Sequence, residues 1–150
     1  MKLFGKPSVT HFKDEWSWLS NFYPAELVYN GVEYRSVEHA YMSAKSEDPE
    51  WKKICQETAS PGKVKQQSRD ISLNKNWHEV KLGVMEELLK IKFSQEPFKS
   101  QLIATEDALL IEGNWWGDTF WGVCDRTGKG ENWLGVLIMR VRADLIATNK

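Results

Sequence analysis

The order of apolar and polar residues predicts a chain built mainly of helices. Over residues 76–93, apolar side chains recur every three or four positions, the spacing that places them on one face of an α-helix. The stripe assigned to this helix consists of Trp77, Val80, Val84, Leu88 and Ile91. A final helix is predicted after Asn132, and its apolar face consists of Leu134, Leu137, Ile138, Val141 and Leu145.

Turn and capping residues predict the shorter elements. The sequence Asn30-Gly31 lies between two runs of strand-forming residues and supports the positive φ angles of a tight hairpin turn. Ser36, Asp48 and Ser60 each stand where a side chain can cap a helix, and the last two directly precede proline. The pattern therefore predicts one hairpin followed by three short helices.

The remaining elements complete a prediction of fold class. Pro97 is expected to start another short helix, and 109–111, Leu-Leu-Ile, is expected to form a buried strand. The chain has 150 residues, the length of one domain, and shows neither a repeat nor a linker. We predict a single domain over residues 1–150 of the α+β class, rich in helices with a small antiparallel β-sheet.

Composition and charge exclude several classes of protein. Hydrophobic residues make up 41% and charged residues 27% of the chain, which is typical of a globular protein. No signal peptide or membrane-spanning run is recognisable, so a cytoplasmic protein without membrane association is predicted. The net charge of −1 gives no general attraction to nucleic acid, although Lys63, Lys65 and Arg69 form a local basic group. Cys55 and Cys124 suggest two reduced, partly buried thiols, and neither a metal nor a cofactor is predicted.

The helix after Ser36 carries two charged residues of interest. Glu38 and Lys45 are seven positions apart, about two helical turns, so they are expected on one line of the helix surface. Tyr41 lies between them, and this line borders the apolar face. One interpretation is a solvated ion pair of little energetic value. The other is a pair of charges directed into a cleft.

A second candidate feature is a segment rich in tryptophan and glycine. Residues 115–122, here called the aromatic loop, place Trp116, Asp118 and Trp121 among glycines. Aromatic rings can stack on a flat ligand, and the helix predicted after this segment offers N–H groups that favour a phosphate. A loop packed only for structural reasons is the alternative.

A third candidate feature is a pair of lysines within the long helix, Lys81 and Lys92. Their charged ends either extend to solvent or point at the phosphates of a ligand.

Six blocks of residues follow one another along most of the chain. They are Trp18-Leu19-Ser20-Asn21-Phe22; Ser36-Val37-Glu38-His39-Ala40-Tyr41 with Lys45; Trp77 with Lys81 and Met85; Lys92-Phe93; Asp118-Thr119-Phe120-Trp121-Gly122; and Gly130-Glu131-Asn132-Trp133-Leu134-Gly135 with Met139 and Arg142. In this order the blocks resemble the NADAR (YbiA-like) family of N-glycosidases, and the resemblance extends from about Trp16 to Leu145.

The resemblance implies an enzyme that hydrolyses an N-ribosyl bond. Family members act on ribosylaminopyrimidine phosphates of riboflavin synthesis, or remove ADP-ribose from guanine bases, which would bring transient contact with ADP-ribosylated DNA. The implied partner is thus a small-molecule or nucleic-acid-linked ribosyl phosphate. A non-catalytic module that binds ADP-ribose or an NAD derivative is the alternative, but it would not need Glu38 and Lys45 together.

The resemblance also implies roles for particular residues. The catalytic residues would be Glu38, Lys45 and Asp118, with Glu38 as acid and base and Lys45 capturing the sugar or positioning charge. Asp118 would hold ribose hydroxyls. The implied substrate-binding residues are Trp18, Asn21, Phe22, Tyr41, Lys81, Trp116, Trp121, Gly122 and Asn132.

Overall fold

The computed structural model describes residues 5–149 and shows a helix-rich α+β fold. Within these residues the α-helices are α1 (Val37–Ser43), α2 (Pro49–Glu57), α3 (Pro61–Gln67), α4 (Trp77–Phe93), α5 (Phe98–Ala104) and α6 (Trp133–Thr148). The short strands are β1 (Leu27–Tyr29), β2 (Val32–Tyr34), β3 (Gly113–Asn114) and β4 (Val123–Cys124). Two 3-10 helices cover Asp14–Leu19 and Ser68–Asp70. No helix among the described residues combines the length and apolar character needed to cross a membrane.

The chain separates into two compact units. Residues 21–92 form one unit, which contains the hairpin of β1 and β2, helices α1 to α3 and nearly all of α4. The other consists of the residues up to Ser20 and those from Phe93 onward, with α5, α6, β3 and β4. That residues 1–150 act as a single domain stays a prediction.

The predicted hairpin is confirmed. Strands β1 and β2 pair antiparallel, with Leu27 opposite Tyr34. Asn30 and Gly31 form the turn with φ angles of 52° and 79°, a left-handed conformation that glycine adopts without a steric penalty. Leu27, Tyr29 and Tyr34 are buried, so one face of the hairpin contributes to the core.

The predicted helix starts are also confirmed. Ser36, Asp48 and Ser60 each accept a hydrogen bond from a backbone N–H in the first turn of the following helix, at 3.0–3.2 Å. These bonds satisfy N–H groups that have no partner inside the helix. The helix predicted near Pro97 begins at Phe98, and α6 begins at Trp133 and buries Leu134, Leu137, Ile138 and Val141.

The long helix α4 exists as predicted, but its buried face is rotated from the predicted stripe. Val80 remains 37% exposed, and Val84 and Ile91 are only half-buried. The residues with buried side chains are Trp77, Met85, Leu88, Leu89, Lys92 and Phe93. Lys92 therefore lies on the buried face of α4. A pattern built from apolar residues alone does not place a lysine there.

The predicted strand at 109–111 is wrong, whereas the predicted small antiparallel sheet is present as the hairpin of β1 and β2. Leu110 makes only an isolated parallel bridge with Val9, and Leu109 is 48% exposed. The Asn132 side chain donates to the carbonyl of Leu110 and accepts from the N–H of Glu112, both at 2.9 Å. A side chain thus occupies backbone groups that a neighbouring strand would pair. The paired strands nearby, β3 and β4, are parallel and two residues long, so the described residues contain two small sheets.

Candidate active site

Helix α1 buries a carboxylate. All residues of α1 are buried, and Glu38 exposes only 6% of its surface. The N–H of Glu38 donates to the carbonyl of Asn21 at 3.0 Å, which ties the helix to the preceding segment. A charged group in such a position requires nearby charges or hydrogen bonds that compensate for lost hydration. The surroundings of Glu38 therefore define its chemistry.

His39 fixes the start of α1 rather than acting in a reaction. Its Nε2 lies 2.8 Å from the carbonyl of Thr58, and its Nδ1 lies 2.6 Å from Oγ of Ser36. Because a carbonyl can only accept, Nε2 must carry the proton and Nδ1 accepts from the serine hydroxyl. Burial lowers the pKa of His39, which keeps the ring in this neutral form.

Lys45 lies just beyond α1 rather than within it. The helix ends at Ser43, and the N–H of Lys45 donates to the carbonyl of Met42 at 3.2 Å, three residues back. The last turn is therefore tightened. The prediction of one continuous helical line from Glu38 to Lys45 is corrected at this end. The two charged groups still interact electrostatically.

Donors from two neighbouring segments hold the C-terminal end of α1. Carbonyls at the end of a helix need partners from outside it, and here side-chain and backbone donors from other segments reach the carbonyls of residues 42–45. Trp51 and Lys52 donate to the first two through their side chains, at 2.8 and 3.1 Å. Asn74 donates to the last two, through its side chain at 3.2 Å and its backbone at 2.8 Å. The backbone of Lys45 is therefore fixed.

Helix α4 begins beside this end of α1. Asn74, which bonds to the backbone of Lys45, lies three residues before Trp77. The ring of Trp77 lies 5.1 Å from that of Tyr41, measured between centroids. Side chains of α1 and α4 thus meet where α1 ends and α4 starts.

Asn21 connects the start of α1 with the middle of α4. Its carbonyl accepts from the N–H of Glu38 in α1, and its Nδ2 lies 3.5 Å from the sulfur of Met85 in α4. Lys81 lies one turn before Met85 on α4 and is half-buried.

The environment of Lys45 lowers the pKa of its ammonium group. Burial lowers the pKa of the Lys45 ammonium below its usual 10.5. The Glu38 carboxylate opposes this shift, whereas the like charges of Lys65 and Lys81 add to it. The Nζ atom also lies 5.7 Å from the centroid of the Tyr41 ring. A lysine with a lowered pKa beside a buried carboxylate is suited to attack a carbonyl-like carbon.

Asn21 offers a buried acceptor. The residue is 9% exposed, and no donor among the described residues reaches its Oδ1. Leaving such a group unpaired costs about 1–3 kcal/mol. A hydroxyl or amino group of a ligand would satisfy it. The next residue, Phe22, is 42% exposed and lines a groove of about 350 Å³ together with Arg35 and Ser36.

Asp118 in the aromatic loop has a clear structural role. Its Oδ1 accepts the N–H groups of Phe120 and Trp121 at 3.0 and 2.9 Å. The Asn114 side chain in turn holds the backbone of residues 117 and 118. These bonds alone account for a carboxylate at this position, for which the resemblance implies a catalytic role. A catalytic role for Asp118 stays a prediction.

The structure does not support a phosphate site at the start of α6. The N–H of Trp133 donates to the carbonyl of Phe120 at 3.1 Å, and that of Leu134 donates to Trp121 at 3.0 Å. The N–H of Asn132 donates to Gly122 at 3.3 Å. The groups that a phosphate would need are thus occupied by the aromatic loop.

Other residues predicted from the resemblance fall into two groups. Trp18 is buried against Phe93, with ring centroids 6.4 Å apart, and the amide of Asn132 bonds to backbone at both ends. A side chain on Gly122 would collide with Glu112. Substrate binding by these residues therefore rests on the resemblance alone. By contrast, Trp116 is 53% exposed and Trp121 is half-buried, so both rings have accessible surface.

Lys92 does not extend its charge to solvent. Its side chain is fully buried, and burial lowers the pKa of Lys92 to about 7. The expectation of a solvated lysine at this position is therefore wrong.

Both cysteines are unpaired and buried. No group of three or more metal-binding side chains occurs in the part of the chain that the structure describes.

The hydrogen bonds of Asp118 lead to a stability prediction. Asp118→Ala removes the acceptor for two backbone N–H groups and should lower the free energy of unfolding by about 1–3 kcal/mol in urea denaturation. Asp118→Asn retains an Oδ1 acceptor and should remain near wild-type stability. Asp144→Ala, at an exposed position of α6, is the control and should change stability by less than about 0.5 kcal/mol. Unchanged stability in Asp118→Ala would contradict this role.

The fold and this constellation define a helix-rich α+β protein that holds a buried carboxylate beside a lysine of lowered pKa. Residues 9–146 match the family model of the NADAR domain. The chain therefore belongs to the NADAR family, as the six blocks of residues predicted.

Relatives of known name support this assignment. The chain is 33% identical to the N-glycosidase YbiA of Escherichia coli K12 over 135 residues, which cover 88% of this chain and 83% of that protein. It is 30% identical to a riboflavin biosynthesis protein of Vibrio vulnificus, over 95% of this chain but 38% of that protein. The NMR structure of Escherichia coli YbiA matches 98% of this chain with a TM-score of 0.86, at 30% identity over 89% of that chain. The fold is thus YbiA-like.

Sequence reasoning missed two residues that shape this site. Asn74 resembles an ordinary residue before a helix, yet it holds the end of α1. In the sequence, Lys65 is recognisable only as a member of a local basic group, whereas in the structure its charge lies near Lys45. Nothing in the spacing of residues predicts either contact, because both join segments distant in sequence.

Proposed function

We propose that this protein is an N-glycosidase that hydrolyses the bond between a ribose and a nitrogenous base. The observation that carries the proposal is the buried Glu38 beside Lys45, whose pKa is lowered mainly by burial. Membership of the NADAR family and similarity to an N-glycosidase support the same reaction class. A module that only binds ADP-ribose would not require this pair.

Glu38 is proposed to act as acid and base. Cleavage of an N-ribosyl bond develops positive charge at the anomeric carbon C1 and negative charge on the departing base. A carboxylic acid can give its proton to the base, and the resulting carboxylate can then stabilise the positive carbon or activate water. The low exposure of Glu38 strengthens these electrostatic effects, because little water screens them.

Lys45 is proposed to capture the sugar as an imine. When the ribose ring opens, its C1 becomes an aldehyde equivalent that a neutral amine can attack. The Lys45 nitrogen forms a bond to C1, and the bond from C1 to the base breaks as the base takes a proton. Water then attacks the imine carbon, which releases the ribose phosphate and restores the free amine.

Two substrates with the same ribosyl bond are candidates. A ribosylaminopyrimidine phosphate is favoured by similarity to a riboflavin biosynthesis protein. ADP-ribose attached to guanine, which the family resemblance also implies, is the second. The exposed ring of Phe22 is proposed as a surface on which a flat base could stack.

A product assay tests the proposed function. The protein is incubated separately with a phosphorylated ribosylaminopyrimidine and with ADP-ribosylated guanine DNA, and released ribose 5-phosphate or ADP-ribose is measured by mass spectrometry. We expect release of ribose 5-phosphate from the first substrate and no release by Glu38→Gln. Absence of release from both substrates by folded wild-type protein would refute the proposal.

A further inference from the structure

Lys65 lies close to the candidate active site without a carboxylate partner. It belongs to α3, which packs against α1, and its side chain is half-buried. Its Nζ lies 5.9 Å from the centroid of the Phe22 ring. Among residues 5–149, no carboxylate forms a salt bridge with it. Lys65 therefore presents a positive charge that the described chain does not neutralise locally.

Two further lysines place positive charge near Lys45. The charges of Lys65 and Lys81 both act on Lys45 and lower its pKa, whereas the Glu38 carboxylate raises it. Both lysines are half-buried. Like charges held together in a partly buried region repel one another, and a bound anion would relieve that repulsion.

The position of Lys65 and Lys81 near Lys45 restricts the kind of anion that could bind there. If Lys45 captures C1 of a ribose, an anion held nearby belongs to the same sugar or to a group attached to it. The 5′-phosphate is the anionic group common to a ribosyl monophosphate and to ADP-ribose. Lysine ammonium groups bind phosphate oxygens through charge-assisted hydrogen bonds.

We infer that Lys65 and Lys81 form a subsite that binds the 5′-phosphate of the ribosyl substrate. The inference rests on the proposed function, because that function supplies the sugar, and it assigns Lys65 a role in substrate recognition. Phe22 contributes by holding the Lys65 side chain through a cation–π contact.

Binding measurements test the subsite without requiring turnover. Ribose 5-phosphate, ribose and ADP-ribose are titrated calorimetrically into wild-type protein and Lys65→Gln. Removal of a charge-assisted hydrogen bond should weaken binding of ribose 5-phosphate by roughly tenfold or more. Binding of ribose, which lacks the phosphate, should be unchanged. Whichever of ribose 5-phosphate and ADP-ribose loses more affinity in Lys65→Gln identifies the source of the phosphate.

Two control variants separate recognition from folding. Lys63→Gln removes an exposed charge two residues away on α3 and should bind ribose 5-phosphate as wild type does. Lys65→Arg keeps the positive charge and should retain most of the affinity. Equal affinity in wild type and Lys65→Gln, or failure of wild type to bind ribose 5-phosphate, would overturn the subsite.

The outcomes of binding and turnover are distinguishable. Cleavage of a ribosyl substrate with no effect of Lys65→Gln on phosphate affinity would reject the subsite and retain the proposed function. A Lys65-dependent affinity for ribose 5-phosphate without cleavage of either substrate would support the subsite and reject the proposed function.

Discussion

Glu38→Gln is expected to reduce kcat for N-ribosyl cleavage by about 10²–10⁴-fold. Glutamine has nearly the same shape as glutamate, but it neither exchanges a proton nor carries the charge that stabilises a positive anomeric carbon. Because Glu38 is 6% exposed, solvent is poorly placed to replace it. The measurement is steady-state release of ribose phosphate, with thermal unfolding to confirm that the variant is folded.

A matched glutamate provides the control. Glu33 is exposed on β2 of the same unit, so Glu33→Gln makes the same chemical change outside the site and should leave kcat unchanged. A folded Glu38→Gln protein with near-wild-type turnover would remove Glu38 from the mechanism.

Lys45→Arg is expected to abolish detectable turnover, with a loss of at least about 10³-fold. Arginine retains the positive charge but stays protonated, so it cannot form an imine with C1. The variant therefore separates chemistry from charge: if Lys45 only positions charge, arginine should preserve much of the rate. Lys53→Arg, at an exposed position of α2, is the matched control.

Local features of the fold could be predicted from sequence because local bonds cause them. The Asn30-Gly31 turn needs positive φ angles, and the caps at Ser36 and Asp48 bond within their own first turn. Each signal and its consequence lie within a few residues. The resemblance to the NADAR family then extended these local predictions to the whole fold.

Features that depend on distant segments could not be predicted. The face of α4 that is buried includes Lys92, which polarity would place outside. Residues 109–111 make only a single bridge, from Leu110 to Val9, and the Asn132 side chain bonds to the carbonyl of Leu110. Neither outcome follows from the local pattern of apolar residues.

The candidate site likewise combines features that the sequence predicts with features that depend on distant segments. The pairing of Glu38 with Lys45 was predicted from their spacing, and their electrostatic interaction remains although α1 ends at Ser43. The contribution of Lys65 could not be predicted, since α3 meets α1 only in the fold. Asp118 has a structural role that the sequence pattern does not reveal, because its bonds to the N–H groups of Phe120 and Trp121 form only in the folded loop. Its catalytic role stays a prediction.

Reduction of the enzyme during turnover tests the central claim most directly. Borohydride is added while the protein cleaves the phosphorylated ribosylaminopyrimidine, and peptides are examined by mass spectrometry. An imine is reduced to a stable amine, whereas direct attack by water on C1 leaves nothing on the protein. The account predicts a ribose phosphate adduct on Lys45 that is absent from Lys45→Arg. Turnover without any adduct, together with activity that survives in Lys45→Arg, would contradict it.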